Sequence, residues 1–542
     1  MKKGLAYGRR AKEKDSLKIL WDNQVNLSAN LLRILPIGLV FKAKFAKQNR
    51  VSANFHSDLS PFFLFHAQMH NSMRFRFFAI LVFIGACMQV HAKQEKRPNI
   101  VVVLCDDLGY GDLACYGHPK IKTPYLDQMA KDGIRFTDFY STAPVCSPSR
   151  VGLLTGRSPN RAGVYDWIPG GRFVHLRASE VTIPQLLKKA GYATCMSGKW
   201  HCNGKFNSPQ QPQPNAAGFD HWFGTQNNAS PSHENPRNFV RNGKAVGPLK
   251  GYSCQLVMDE ALAWLEKQRA KDAEQPFFMY VAFHEPHEPV ASPKEMVKQY
   301  DGVAKNHNQA QYFANVTNLD AAVGKLMKSL KAMKIDENTL VVFTSDNGPE
   351  TLLRYGPRSG RSFGVADPLR GMKLWTTEAG FRVAGIMHWP SRIKAGQVSS
   401  RPVSALDFFP TFCELAGTKP PKDLALDGTS FLPALEDKPV VREKPLVWVY
   451  YNALNNRRVA MRDGKWKVLA KLSIGRLNKV DARNASQVRG ATLSDFQFFD
   501  LSKDIGEGKD LAKANPEKLA ELKQLLQTHY KELVADSHIW KK

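Results

Sequence analysis

The chain has 542 residues, of which 43 % are apolar and 23 % charged. That is enough for more than one buried core, and it excludes both a disordered chain and a small disulfide scaffold. Its 76 Lys and Arg against 49 Asp and Glu leave a formal charge of +27. The chain stays strongly basic without its first 97 residues, which favours polyanions by long-range steering. Nucleic acid and anionic polysaccharide both qualify by charge, but the basic residues are scattered and no nucleic-acid-binding motif occurs, so nucleic acid is not an expected partner.

In chain order, residues 73–92 have the layout of a secretory signal peptide: a basic start at Arg74 and Arg76, an apolar stretch Phe77–Ala86, and the small-residue end Val90-His91-Ala92. The apolar run is short for a membrane span. The mature protein is therefore expected to be exported, periplasmic or extracellular, with no integral span. Ile84-Gly85-Ala86-Cys87 offers a second reading, lipid anchoring at Cys87. A leader is recognised at the start of a chain, so Met73 is the expected start and residues 1–72 a wrongly extended, disordered reading frame. A genuine arm with an anchor helix is the alternative.

From Arg97 onward strand-like and helix-like segments alternate, the pattern of an α/β domain. Asn99–Cys105 is a continuous apolar run, as expected of a strand buried on both faces, and it ends in Asp106-Asp107. Next comes Cys146-Ser-Pro-Ser-Arg150-Val-Gly-Leu-Leu-Thr-Gly156. Either Cys146 is an ordinary buried thiol, or it starts a helix as a nucleophile with Arg150 as an anion clamp. A helical period over Ile183–Lys189 leads to Gly191-Tyr-Ala-Thr-Cys-Met-Ser-Gly-Lys199-Trp-His201, a strand running into a loop. There Lys199 and His201 alternate and can face one cavity. Residues 203–251 are rich in Asn, Pro, Gly and Gln and read as surface loops. Helical periods follow at Cys254–Arg269 and Ala314–Met333.

The apolar strand Phe277–Phe283 ends in His284-Glu-Pro-His287-Glu-Pro289, where a histidine can give a proton to a leaving group. A third buried strand, Leu340–Thr344, runs into Asp346-Asn347-Gly348. Ligands gather at the carboxyl ends of such strands. Asp106, Asp107, Asp346 and Asn347 together offer an all-oxygen set for a hard cation, Ca2+ or Mg2+; turn chemistry is the plainer reading of each pair alone. Lys373 adds a loop lysine. After about residue 441 the texture shifts to short strands (446–451, 458–462, 466–469) and a helix from about Pro516. The expected division is 93–440, a catalytic domain, and 441–542, a smaller α+β unit with a short antiparallel sheet. The eight cysteines form no CxxC pair or zinc spacing.

Taken together and in this order, these segments resemble the type I, formylglycine-dependent sulfatases (arylsulfatases) of the alkaline phosphatase superfamily, over roughly residues 97–540. The likeness rests on Pro144-Val-Cys146-Ser-Pro-Ser-Arg150…Gly156 and Gly191…Lys199-Trp-His201, with Pro98-Asn-Ile…Asp112 at the first strand and Phe499-Asp-Leu…Glu507…Asp510 near the end. It implies a large alkaline-phosphatase-like mixed sheet between helices, and a sulfuric ester hydrolase acting on a sulfated carbohydrate, polysaccharide or glycosaminoglycan.

The resemblance also implies roles. Cys146 is converted by a separate maturation enzyme to formylglycine (3-oxoalanine), whose hydrate is the nucleophile. Asp106, Asp107, Cys146, Asp346 and Asn347 bind one divalent ion, calcium rather than magnesium. Arg150 orients the hydrate, while Lys199 and Lys373 grip sulfate oxygens. His287, within Pro286-His-Glu-Pro, fits the family's histidine better than His284 and faces the leaving oxygen with Lys373. His201 is the base that removes a proton from the second hydroxyl, so that sulfate departs and the aldehyde returns. The rivals are a phosphonate or phosphodiester hydrolase of the same superfamily and a non-catalytic polysaccharide-binding protein. Substrate choice is expected in loops 157–178, 203–251 and 351–369, where Trp167, Arg172, Trp222, His233 and Arg237 are either sugar contacts or ordinary loop structure.

Overall fold

The computed structural model describes residues 96–351 and 360–541; the expected extension 1–72 and leader 73–92, with Cys87, lie outside the described residues. The centre is a mixed sheet of eleven strands, with β10 (Gln397–Ser399) and β11 (Val403–Ser404) both paired to β2 and the others following in the order β9-β8-β1-β7-β3-β4-β5-β6. Its core strands are β1 (Asn99–Asp106), β3 (Ala193–Lys199), β7 (Phe277–Pro286) and β8 (Thr339–Ser345). All four are parallel neighbours, and every residue in them is buried. That is why three of them read as unbroken apolar runs rather than as alternations.

Alternation reappears in the packing. Ile100, Val102 and Leu104 of β1 face one core, with Leu153 and Leu154 of α2 (Cys146–Thr155), Leu187 of α3 (Ile183–Lys189) and Phe412 of α6 (Phe408–Leu415). Val101, Val103 and Cys105 face the other, with Leu126 of α1 (Pro124–Asp132), Val257 and Met258 of α4 (Ser253–Lys271) and Leu319 and Leu326 of α5 (His307–Ala332). Two apolar faces of one sheet thus carry helices on both sides, the expected sandwich.

Two strands were not legible as such. β2 (Ile134–Tyr140) and β9 (Arg382–His388) pair antiparallel, as do β8 and β9. Residues 203–251 are not all loop: β4 (His221–Thr225) pairs in parallel with β3, and a two-residue hairpin of β5 (Val240–Arg241) and β6 (Lys244–Ala245) extends the edge. Short strands interrupted by glycine give too few positions for a period to show.

The second sheet is an antiparallel run of β12 (Leu446–Val449), β13 (Val459–Asp463), β14 (Trp466–Leu472) and β15 (Leu493–Asp500). One face carries α7 (Pro516–Asp536) through Leu522, Leu526 and Leu533. The other packs on the first sheet: Trp448 stacks on Phe381 with ring centroids 4.1 Å apart, beside Tyr140, Leu406, Leu469 and Phe499. Ion pairs cross the same seam. Arg462 pairs with Asp138, and Lys467 Nζ lies 2.6 Å from Glu378 Oε1. The seven cysteines among the described residues are all free, and no described helix is long and apolar enough to cross a membrane.

Candidate active site

Because β8, β1, β7 and β3 are adjacent and parallel, their carboxyl ends bring Asp346, Asp106, His284 and Lys199 to one edge. Asp107 turns out of β1 with φ of 62°, a left-handed conformation that aspartate tolerates better than most residues. Asn347 Nδ2 donates to Asp107 Oδ1 at 2.7 Å and Lys373 Nζ to Asp107 Oδ2 at 2.7 Å. His287 Nε2 lies 3.6 Å from the same Oδ2. Lys199 donates to Asp106 and lies 3.3 Å from Asn228 Oδ1, a contact no sequence signal suggests. Arg150 Nε and NH2 lie 2.9 and 2.7 Å from Asp346 Oδ2. Its NH1 donates to the Lys199 carbonyl at 3.0 Å, and its NH2 sits 3.9 Å from Asp106. Asp106, Asp107, Asp346, Asn347, Arg150, Lys199, Lys373 and His287 therefore form one connected cluster.

The cluster has the character of a cation site. Asp106 Oδ1 and Asn347 Oδ1 are buried oxygens without a hydrogen-bond donor, although buried acceptors are normally satisfied. Asp106, Asp107 and His287 offer ligand atoms within 4.8 Å of one another. Burial and then the neighbouring Asp106 push the Asp346 carboxyl up to about 7, against the pull of Arg150. Burial also acts to raise Asp106, but Lys199, His287 and Arg150 outweigh it and hold that carboxyl well below the usual range. Two buried carboxylates that resist joint ionisation, with two unsatisfied oxygens, suit a hard divalent ion. The set is mainly oxygen, with His287 as the one nitrogen.

Cys146 opens α2, whose ten residues are all buried. The helix ends at Gly156, where φ is 64° and a Cβ would sit 2.5 Å from that of Phe409, so only glycine closes it there. Its free N-terminal amides lie at the Cys146 end, where anions are favoured. Cys146 is 3 % exposed, packed with Val145, Leu374, Tyr450 and Ala453. Burial pushes its thiol up to about 11, despite Lys199 and Lys373. The thiolate is the nucleophilic form, so an unmodified Cys146 is a poor nucleophile at neutral pH.

His201 is buried, with φ of 49°. Its Nε2 lies 3.1 Å from the Ile168 carbonyl, which only accepts, so Nε2 carries the proton and the lone pair is on Nδ1. Nδ1 has no hydrogen-bond partner. Burial, then Lys199 and Arg150, hold the imidazole well below its ordinary value, so it is neutral and basic in form. The Ile168 N–H donates to Ser147 Oγ at 3.0 Å, which ties His201 to the start of α2. Burial and then Lys373 bring His287 down to about 4, and its Nδ1 contacts the Glu288 carbonyl at 2.6 Å. His284 is fully buried and bonded to Thr225 Oγ1 at 2.8 Å. Of the loop residues, Trp222, on β4, and His233 are in the interior, whereas Trp167 is 47 % exposed.

The Sulfatase family model matches residues 98–418, and the model for the C-terminal part of N-sulphoglucosamine sulphohydrolase matches 372–473. The chain is 36 % identical to N-acetylgalactosamine-6-sulfatase of Rattus norvegicus over 398 residues, covering 69 % of this chain and 72 % of that one. It is 35 % identical to arylsulfatase A of Homo sapiens over 468 residues, 79 % and 87 % of the two chains. Among solved structures, Ps i-CgsB in complex with k-i-k-neocarrahexaose aligns with a TM-score of 0.68 and 31 % identity, over 82 % of this chain and 95 % of that chain. Matches of this extent mean that the chain belongs to the sulfatase family.

Proposed function

We propose that this enzyme removes sulfate from a sulfated carbohydrate, a polysaccharide or glycosaminoglycan, with a formylglycine at position 146 and a calcium ion held by Asp106, Asp107, Asp346, Asn347 and residue 146. The observation that carries this reading is the convergence of Arg150, Lys199 and Lys373 on the buried carboxylates of Asp346, Asp106 and Asp107 at the strand ends, beside two buried oxygens, Asp106 Oδ1 and Asn347 Oδ1, that have no donor. When bound, the ion offsets the negative charge gathered by the sulfate and the carboxylates. The hydrated aldehyde supplies a neutral hydroxyl nucleophile with a second hydroxyl for its own release.

The side chains do the rest. Arg150, fixed by Asp346 and the Lys199 carbonyl, orients residue 146. Lys199 and Lys373 hold sulfate oxygens, where positive charge counts most as charge builds on them. Lys373 and His287 face the ester oxygen, where the Lys373 ammonium supplies the proton as the bond breaks and the neutral His287 ring helps to position it. His201 takes a proton at Nδ1, the nitrogen left free by the Ile168 contact. The names of the sulfatase relatives, one an N-acetylgalactosamine-6-sulfatase, and the oligosaccharide in Ps i-CgsB support a carbohydrate ester. The leader-like segment 73–92 supports export, and a maturation enzyme for Cys146 is the implied partner.

Mass spectrometry of the peptide bearing residue 146, after co-expression with a competent maturase, tests this directly. An aldehyde should replace the thiol, and activity should scale with conversion. Sulfate esters should turn over faster than phosphate diesters. An unmodified thiol in fully active protein, or a preference for the diester, overturns the proposal.

A further inference from the structure

A cavity of about 400 Å3 opens beside the catalytic cluster, lined by Asp166, Trp167, Ile168 and Arg172 from the first domain and by Asn452 and Lys479 from the second. It is separate from the sulfate-holding residues but is wired to them on two sides. Ile168 lines it and holds His201 Nε2 through its carbonyl. Asp166 accepts from Tyr450 Oη at 2.9 Å and from Asn452 Nδ2 at 2.7 Å, and Tyr450 packs in the small cluster that contains Cys146. Asp166 and Tyr450 thus link the cavity wall to the cluster that holds residue 146.

The lining has a definite chemistry. Trp167 is one of four large apolar side chains exposed among the described residues, at 47 %; an exposed indole at a cavity mouth offers a flat face for a sugar ring. Neither Arg172 nor Lys479 forms an ion pair among the described residues. The acids on the same wall are already committed: Asp481 pairs with Arg483, and Asp166 is tied to Tyr450, Asn452 and the Trp167 N–H. The cavity therefore presents an aromatic plate and two cations outside any ion pair, against one carboxylate, Asp166, whose oxygens are turned to neutral donors, a combination that favours an anionic sugar over a neutral one.

We infer that this cavity is a subsite for an anionic sugar, carboxylated or sulfated, adjoining the unit whose ester is cleaved. The inference rests on the proposed sulfatase activity and assigns its substrate as an oligosaccharide with charge on consecutive units. It also gives the second domain a part in specificity, through Asn452 and Lys479.

The test uses Trp167→Ala and the double variant Arg172→Ala/Lys479→Ala in the full chain. The probes are a chondroitin 6-sulfate hexasaccharide, neocarrahexaose and 4-nitrophenyl sulfate. The two oligosaccharides separate uronate from sulfate as the bound anion. Each variant should raise KM for the better oligosaccharide about tenfold, the loss of one good contact, and leave kcat and 4-nitrophenyl sulfate turnover unchanged. Calorimetric Kd for the same oligosaccharide should weaken in parallel. Unchanged KM and Kd, or equal losses on 4-nitrophenyl sulfate, overturn the subsite. A wild-type protein without sulfatase turnover whose Kd still weakens in the variants refutes the sulfatase reading and keeps the subsite.

Discussion

Arg150 and Lys373 both bring positive charge to the strand ends, yet from different footings. Arg150 is fully buried and divides its donors between Asp346 and the Lys199 carbonyl. Removing it leaves carboxylates unpaired in the interior, a loss of about 3–5 kcal/mol. Lys373 reaches Asp107 from a loop. Lys373→Ala should lower kcat about 100- to 1000-fold, as for an oxyanion donor, and should also lower the melting temperature, because its pair with Asp107 is buried. Arg150→Ala should lose both activity and stability, as read by thermal melting. His284 carries a pH signature. Burial, then His233 and Lys199, hold it well below its ordinary value of 6.5. Below pH 6.5 the unfolded chain therefore binds a proton that the folded chain refuses, and stability falls as pH falls. The slope is roughly 1.4 kcal/mol per pH unit for this group. In urea melts at pH 5.5 and 7.5, His284→Gln should lose less stability than wild type on going to the lower pH.

At the scale of elements, the loop that carries Lys373 is clamped from the second domain. Glu507 Oε2 accepts the Glu378 N–H at 2.8 Å, the Glu507 carbonyl accepts from Arg370 NH1 at 2.8 Å, and Lys467 Nζ lies 3.5 Å from Glu507 Oε1. One glutamate thus touches both ends of the stretch 370–378. Glu507→Ala should cost about 3–5 kcal/mol, as for one partner of a buried pair, and should also lower kcat on 4-nitrophenyl sulfate; Glu507→Gln, which keeps the acceptor, should recover most of that kcat. Such clamps explain what was legible in the sequence. β1, β7 and β8 were readable because burial on both faces leaves no polar position. Asp106, Asp107, Cys146, Arg150, Lys199 and Asp346 were readable because each lies in or next to a strand end or helix start. Asn228, Tyr450 and Glu507 were not, since each meets the site only through folding over long sequence distances. β2 and β9 were missed because tertiary pairing, not a local period, makes them strands.

For the whole molecule, the seam between the sheets is as much a part of the site as the strand ends. Tyr450 and Ala453 of the second domain cover Cys146, and the residue retains 3 % of its exposure. That geometry sets an order in time. Any enzyme that converts the thiol must reach it before residues near 450 have closed over it. Under the proposed conversion of Cys146, maturation should compete with folding, and a chain that folds first should stay inactive. Alkylation shows the same gate: in unconverted protein Cys146 should resist a thiol reagent when folded and react once unfolded, as followed by peptide mass spectrometry. For the proposed conversion the second domain would set a deadline, and slowing its closure should raise the fraction of converted chains.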